Sequence, residues 1–112
     1  MVVSNTGKNK IRDLIAANIN SGKVGTDGTD ATVSDTGLGA ETAGIDKTPT
    51  ISTSNKTINF QYTVLSTEQT GTTFKEGGIF FTDDVMLDRF VYPDFSHTAD
   101  DELVVVDIIK VI

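Results

Sequence analysis

His97 is the single histidine of the chain, set between Ser96 and Thr98 in a polar stretch after Pro93. For nucleophilic catalysis it would have to take a proton from an activated serine, and no serine sits in the sharp G-x-S-x-G turn that exposes one. His97 is therefore expected to be a surface turn residue. Cysteine is absent, which removes thiolate metal sites, disulfides and a cysteine nucleophile together. Carboxylates stand side by side at Asp83-Asp84 and at Asp100-Asp101-Glu102. Side chains adjacent in a turn diverge, whereas a catalytic acid and base must converge on one bond, so both groups read as solvated turns. Gly25-Thr26-Asp27 followed by Gly28-Thr29-Asp30 has the outline of a calcium loop. It lacks the alternating ligands and closing glutamate of an EF-hand and the paired glycines of a calcium-binding β-helix. Asp27, Asp30, Asp100 and Asp101 remain as metal candidates, with tight turns the expected reading and no resident cofactor. No Gly-Lys-Ser/Thr follows these glycines, so there is no phosphate loop. The chain is not expected to be an enzyme.

One charged pair stands out from its surroundings. Glu76 precedes Gly77-Gly78 and the apolar Ile79-Phe80-Phe81 within a strand-like run, where a carboxylate is costly unless paired. Arg89, one of two arginines, lies beyond the turn at 82–84 on the next run at roughly the matching position. The expected role is a structural ion pair, Glu76 with Arg89, that fixes strand register; otherwise each points to solvent.

The elements that position these residues are mostly β. Asp outnumbers Glu by 12 to 4 and Thr occurs 17 times. Thr, Val, Ile and Phe suit pleated surfaces, while Asp, Asn and Gly suit the turns between them. The 112 residues make one domain. Its segments are a helix over 6–20, an extended Thr/Gly/Asp-rich loop arm over 22–56 and an antiparallel β body over 57–112. In the helix, Thr6 is the expected N-cap, Ile11, Leu14, Ile15 and Ile19 form one face, and Asn20-Ser21-Gly22 ends it. In the body, Ile58, Phe60, Tyr62 and Val64 alternate with polar residues. Runs at 72–81, 85–92 and 102–112 follow, with Pro93 ending the third of the four strands. The expected fold is an antiparallel β-sandwich or meander with one N-terminal helix.

The last run is apolar on both faces: Leu103, Val105, Ile109 and Val111 on one, Val104, Val106, Ile108 and Ile112 on the other. A strand at the outside of a small sandwich should be polar on its solvent face. Either it is central, or another subunit covers it. The expected oligomer interface is Ile11, Leu14 and Ile15 of the helix with Val104, Val106, Ile108 and Ile112. Nine Lys and Arg against 16 Asp and Glu leave a net charge of −7, which argues against binding a phosphate backbone. No stretch approaches the roughly 20 apolar residues that span a bilayer, and no apolar leader opens the chain. Neither a nucleic acid nor a membrane is an expected partner.

Read in order, the motifs resemble a small virion module of tailed phages and tailed archaeal viruses. That module runs from an N-terminal helix through V-G-T-G-T-x-A-x-x-S-D-T-x-L, then E-x-G-(I/L)-F, a turn, L-x-R and a final Val/Ile strand. The corresponding residues here are Val24-Gly25-Thr26 and Ala31-Thr32-Val33-Ser34-Asp35-Thr36-Gly37-Leu38. Further on come Glu76-Gly77-Gly78-Ile79-Phe80, Met86-Leu87-Asp88-Arg89 and Leu103-Val104-Val105-Val106. The order holds from about residue 7 onward and is similar to the phage tail-collar fibre domain. Asp27 stands where the pattern has glycine, and a strand ahead of Val24 is expected to be short or missing. The resemblance implies a non-catalytic virion structural protein of a tailed virus, an oligomeric connector of tail-fibre or collar type. Its implied partners are further copies of itself and other virion proteins, with no small-molecule ligand, and its loop arm would wrap a neighbour. A head decoration or turret protein is the alternative. A receptor- or carbohydrate-binding β-sandwich using Tyr62, Tyr92 and Phe95 is a further one.

Overall fold

Ser4, two residues ahead of the expected Thr6, opens the helix. Its side-chain oxygen accepts the Gly7 N–H at 3.0 Å, occupying one of the donors that a helix N-terminus leaves free. The helix α1 spans Asn5–Ala17 and stops short of residue 20. Asn18 closes it, its backbone N–H donating to the Ile15 carbonyl and its side-chain Nδ2 to Leu14. Ile19 is thereby released from the helical stripe and buries its side chain between the sheets. The computed structural model describes residues 1–112.

Seven strands follow: β1 Ile19–Gly25, β2 Glu41–Lys47, β3 Thr50–Ser54, β4 Thr57–Val64, β5 Thr73–Phe81, β6 Met86–Ser96 and β7 Leu103–Lys110. They form two antiparallel sheets, ordered β2-β1-β5-β6 and β3-β4-β7. The protein is mainly β, a two-sheet sandwich with one N-terminal helix. Ile58, Phe60, Tyr62 and Val64 of β4 face Val24, Phe74 and Ile79 of the other sheet, and all are buried.

Three expectations need correction. The 22–56 segment is not one loop arm: it holds most of β1 and all of β2 and β3. β1 is also the strand expected to be short or missing ahead of the Val-Gly-Thr motif. Its Asn-Ser-Gly-Lys run carries no apolar alternation, but β2 and β5 flank it and satisfy its backbone on both edges. Gly22 is required within it, since a Cβ there would lie 2.5 Å from the Tyr62 ring. Second, Pro93 does not end the third strand of the body, because β6 runs on to Ser96. β6 is a sheet edge, and Pro93 falls in a bulge where Phe74 pairs Phe95 but Glu76 pairs Val91. Edges and bulges are the places where a missing N–H is tolerated. Third, β7 pairs with β4 alone. It is an edge strand, so a central position does not account for its doubly apolar sequence.

Candidate functional site

The outer face of the four-stranded sheet carries a fully buried carboxylate. Glu76 on β5 has no exposed surface, and both of its oxygens are occupied. Oε1 accepts from Arg89 Nε and from the Gly39 backbone N–H, each at 2.8 Å. Oε2 accepts from the N–H groups of Ala40 and Asp27 at 2.8 and 2.9 Å. Arg89 stands on β6 two register positions along from the residue opposite Glu76, facing Gly78, so the two side chains meet diagonally.

Arg89 uses its remaining donors on the loop between β1 and β2. Nη1 donates to Asp35 at 3.1 Å, and Nη2 donates to the Thr29 and Asp27 carbonyls at 2.8 and 3.2 Å. The loop is thereby fastened to its own sheet rather than extended toward a neighbour. Leu38 completes the contact over Gly78, where a Cβ would come within 2.9 Å of it. Gly25 fits beneath Glu76, since a Cβ there would lie 2.5 Å from Oε2. Burial pushes the Glu76 carboxyl up, but the Arg89 guanidinium and three backbone N–H groups outweigh it and hold it below the usual range. The Thr32 backbone N–H, helped by Arg89, holds Asp35 low as well. A carboxylate with four donors has no lone pair left to accept a proton or a metal. The arrangement holds the loop in place; it presents no reactive group.

The other candidate residues lie apart. Asp27 turns its carboxylate to the Thr29 N–H at 2.9 Å, with the Arg89 guanidinium 4.0 Å away, surroundings suited to an anion rather than a cation. Asp30, Asp100 and Asp101 are exposed, Asp101 accepting from the Thr98 hydroxyl. No three His, Asp or Glu side chains group to hold a metal.

His97 is not a surface turn residue. It is buried between Phe74 and Phe95, with ring centroids 5.5 and 6.0 Å away. Its Nε2 lies 2.7 Å from the Leu65 carbonyl. A carbonyl only accepts, so Nε2 carries the proton. Tyr62 and Tyr92, proposed as ligand-facing aromatics, turn their hydroxyls inward instead. Tyr62 donates to the Lys23 carbonyl and Tyr92 to the Glu76 carbonyl, both at 2.8 Å, and burial raises both phenols. Phe95 is half-buried beside His97. A stacking platform for a sugar would need these rings exposed.

Sequence reasoning missed a second pair, Asp88 on β6 and Asp107 on β7, which bridges the two sheets. Each has one buried oxygen without an N–H or O–H partner. Asp107 lies near enough to Asp88 to disfavour its charged form, and a proton on Asp88 gives it a donor to offer there. Burial first, then Asp107, pushes Asp88 up to about 8. The available signal was parity: Asp107 shares the inward face of β7 with Leu103, Val105 and Ile109.

Of the expected interface residues, Ile11 and Leu14 are exposed and Ile15 packs partly on the core. Val104, Val106, Ile108 and Ile112 are all exposed. Ile11, Leu14 and Ile15 line a shallow groove with Phe81 and Val85 at the β5–β6 turn. No helix is long and apolar enough to cross a membrane. Comparison with protein families, with characterised proteins and with solved structures returns no match for this chain.

Proposed function

We propose that this chain is a non-catalytic virion structural protein of a tailed virus, an oligomeric connector of tail-fibre or collar type. The observation that carries the reading is the convergence of the motif residues. Asp35 and Leu38 come from the S-D-T-x-L piece, Glu76 from E-G-G-I-F and Arg89 from the piece like L-x-R. Widely separated in sequence, they meet in one cluster that fixes the loop to the sheet. A sequence pattern whose charged members Asp35, Glu76 and Arg89 serve internal fastening suits a building block better than an enzyme. The exposed apolar faces of α1 and β7 supply contacts to other copies and to further virion proteins, and repeated small interfaces add up through avidity. Nucleic acid, membrane and small-molecule partners form no part of the proposal.

Antibodies raised against the purified protein test this on particles released by cells that carry its gene. Gold label at the junction of tail and fibres is the expected result. Label spread over the capsid would shift the assignment to a head decoration or turret protein. Particles that carry none of the protein would overturn the virion reading.

A further inference from the structure

The sandwich has four edge strands, and only one of them is long, unbulged and apolar along its outward face. Exposed edges present unpaired N–H and C=O groups, and proteins blunt them with charges, proline, bulges or short length. β2 carries Glu41, Asp46 and Lys47 and is distorted at Gly44, whose φ is +85°. β3 is five residues long and nearly all Ser and Thr. β6 contains Pro93 and two register irregularities. β7 is the most regular of the four: eight consecutive residues pair with β4 without a bulge, it contains neither Gly nor Pro, and its two charges are Asp107 on the inward face and Lys110 at its end. Its outward side chains Val104, Val106 and Ile108 are 50, 56 and 63% exposed. Along the same edge, β6 and β7 flank an apolar groove of about 300 Å³ lined by Tyr92, Pro93, Phe95 and Leu103 among others.

We propose that β7 adds edge to edge to β7 of a second copy, antiparallel about a two-fold axis at Val106, joining the two three-stranded sheets into one of six. This deepens the assembly reading of the exposed apolar faces, on which it rests, by naming the partner and the register. Directly opposed residues in an antiparallel pair point to the same face. Keeping the apolar stripe continuous therefore pairs even-numbered residues with even-numbered ones. Centring on Val106 sets Val106 against Val106, Val104 against Ile108 and exposed Glu102 against exposed Lys110 of the other copy. The stripe is then self-complementary and its two ends carry opposite charges. Shifting the centre to Asp107 would oppose two aspartates, and shifting it to Val105 would set Glu102 against Ile108. Only the Val106 register satisfies both charge and apolar contact.

Because the chain has no cysteine, one introduced thiol reports the axis. In Val106→Cys the two residues face each other at about 4.5–5.5 Å between Cα atoms, within disulfide reach. In Val104→Cys the same residues stand about 13 Å apart along the strand. Under mild oxidation Val106→Cys is expected to form covalent dimer at least tenfold faster than Val104→Cys or the exposed-loop control Val33→Cys. Light scattering should show that Val106→Lys, at a half-exposed site that leaves the core intact, at least halves the solution mass. An oligomer that survives Val106→Lys, with Val106→Cys no faster than Val33→Cys, would overturn the strand pairing and leave assembly through another face. A protein monomeric at every concentration would overturn the pairing and the assembly reading together.

Discussion

Glu76 remains charged in a place without solvent because four donors converge on it, and removing any of them exposes the cost. Arg89→Met would leave a buried carboxylate facing only backbone donors, and breaking one partner of such a pair typically costs about 3–5 kcal/mol. A urea midpoint lowered to that extent, with the denaturant slope unchanged, is the expected outcome; a loss within about 0.5 kcal/mol would mean that the backbone donors suffice. The pH dependence follows from the direction of the shift. The folded-state value is held below the unfolded one, so the Glu76 contribution is fully present above the ordinary glutamate range. It disappears as pH falls through the lowered folded value. Asp88 works the other way. Its folded value is raised to about 8, so the native state keeps a proton that the unfolded chain releases near pH 4. Stability therefore falls as pH rises between these values and levels off above about 8. Asp88→Asn keeps a hydrogen-bond donor toward Asp107 and removes that titration. Its melting temperature should gain on wild type between pH 5 and pH 8, by about 4–8 °C for each kcal/mol recovered. Parallel curves for the two proteins would show that Asp88 does not hold its proton across this window.

At the scale of elements, the loop between β1 and β2 behaves as part of the sheet. Its order comes from the hydrogen bonds to Glu76 and Arg89, not from apolar spacing, and that explains what the sequence revealed and concealed. β4 was readable because Ile58, Phe60, Tyr62 and Val64 alternate and one face is buried. The Glu76–Arg89 contact was readable because a charge beside Gly77-Gly78 and Ile79 demands a partner. β1 was not, because Asn20, Ser21, Gly22 and Lys23 mask a strand whose stability comes from neighbours on both sides. The inward turn of His97 was equally hidden, because burial beside Phe74 and Phe95 depends on contacts across the fold. The loop provides its own test in two glycines. Nothing lies within 4 Å of a Cβ added at Gly37, whereas one at Gly39 would lie 1.8 Å from Asp27 Oδ2. Gly37→Ala should be neutral. Gly39→Ala should cost about 1–3 kcal/mol as Asp27 is displaced, and hydrogen exchange should locate the damage. The Asp27, Gly39 and Ala40 amides, all bonded to Glu76, should lose protection together while β4 amides keep theirs. Equal exchange in the two variants would mean that the clasp tolerates the displacement.

The whole molecule combines an apolar edge with a net charge of −7, and these act on association in opposite directions. Two copies docked side by side would have centres about 25 Å apart, the shorter dimension of the body. Treated as point charges in bare water they would repel by roughly 8 kcal/mol. Screening lowers this to about 3–4 kcal/mol at 0.01 M salt and below about 1 kcal/mol at 0.15 M. Against this, the Glu102–Lys110 contacts of the proposed β7 pairing would contribute at most about 1 kcal/mol each and weaken over the same range. Repulsion is the larger salt-dependent effect, so adding salt should strengthen self-association by about tenfold or more. Sedimentation equilibrium from 0.01 to 0.15 M NaCl at pH 7 measures this directly. Association that weakens across that series would mean that ion pairs dominate the contact, and the apolar face of β7 would lose its place as the main adhesive surface. Association that strengthens would match an apolar contact between acidic copies, their like charge keeping them apart at low ionic strength and screened at higher.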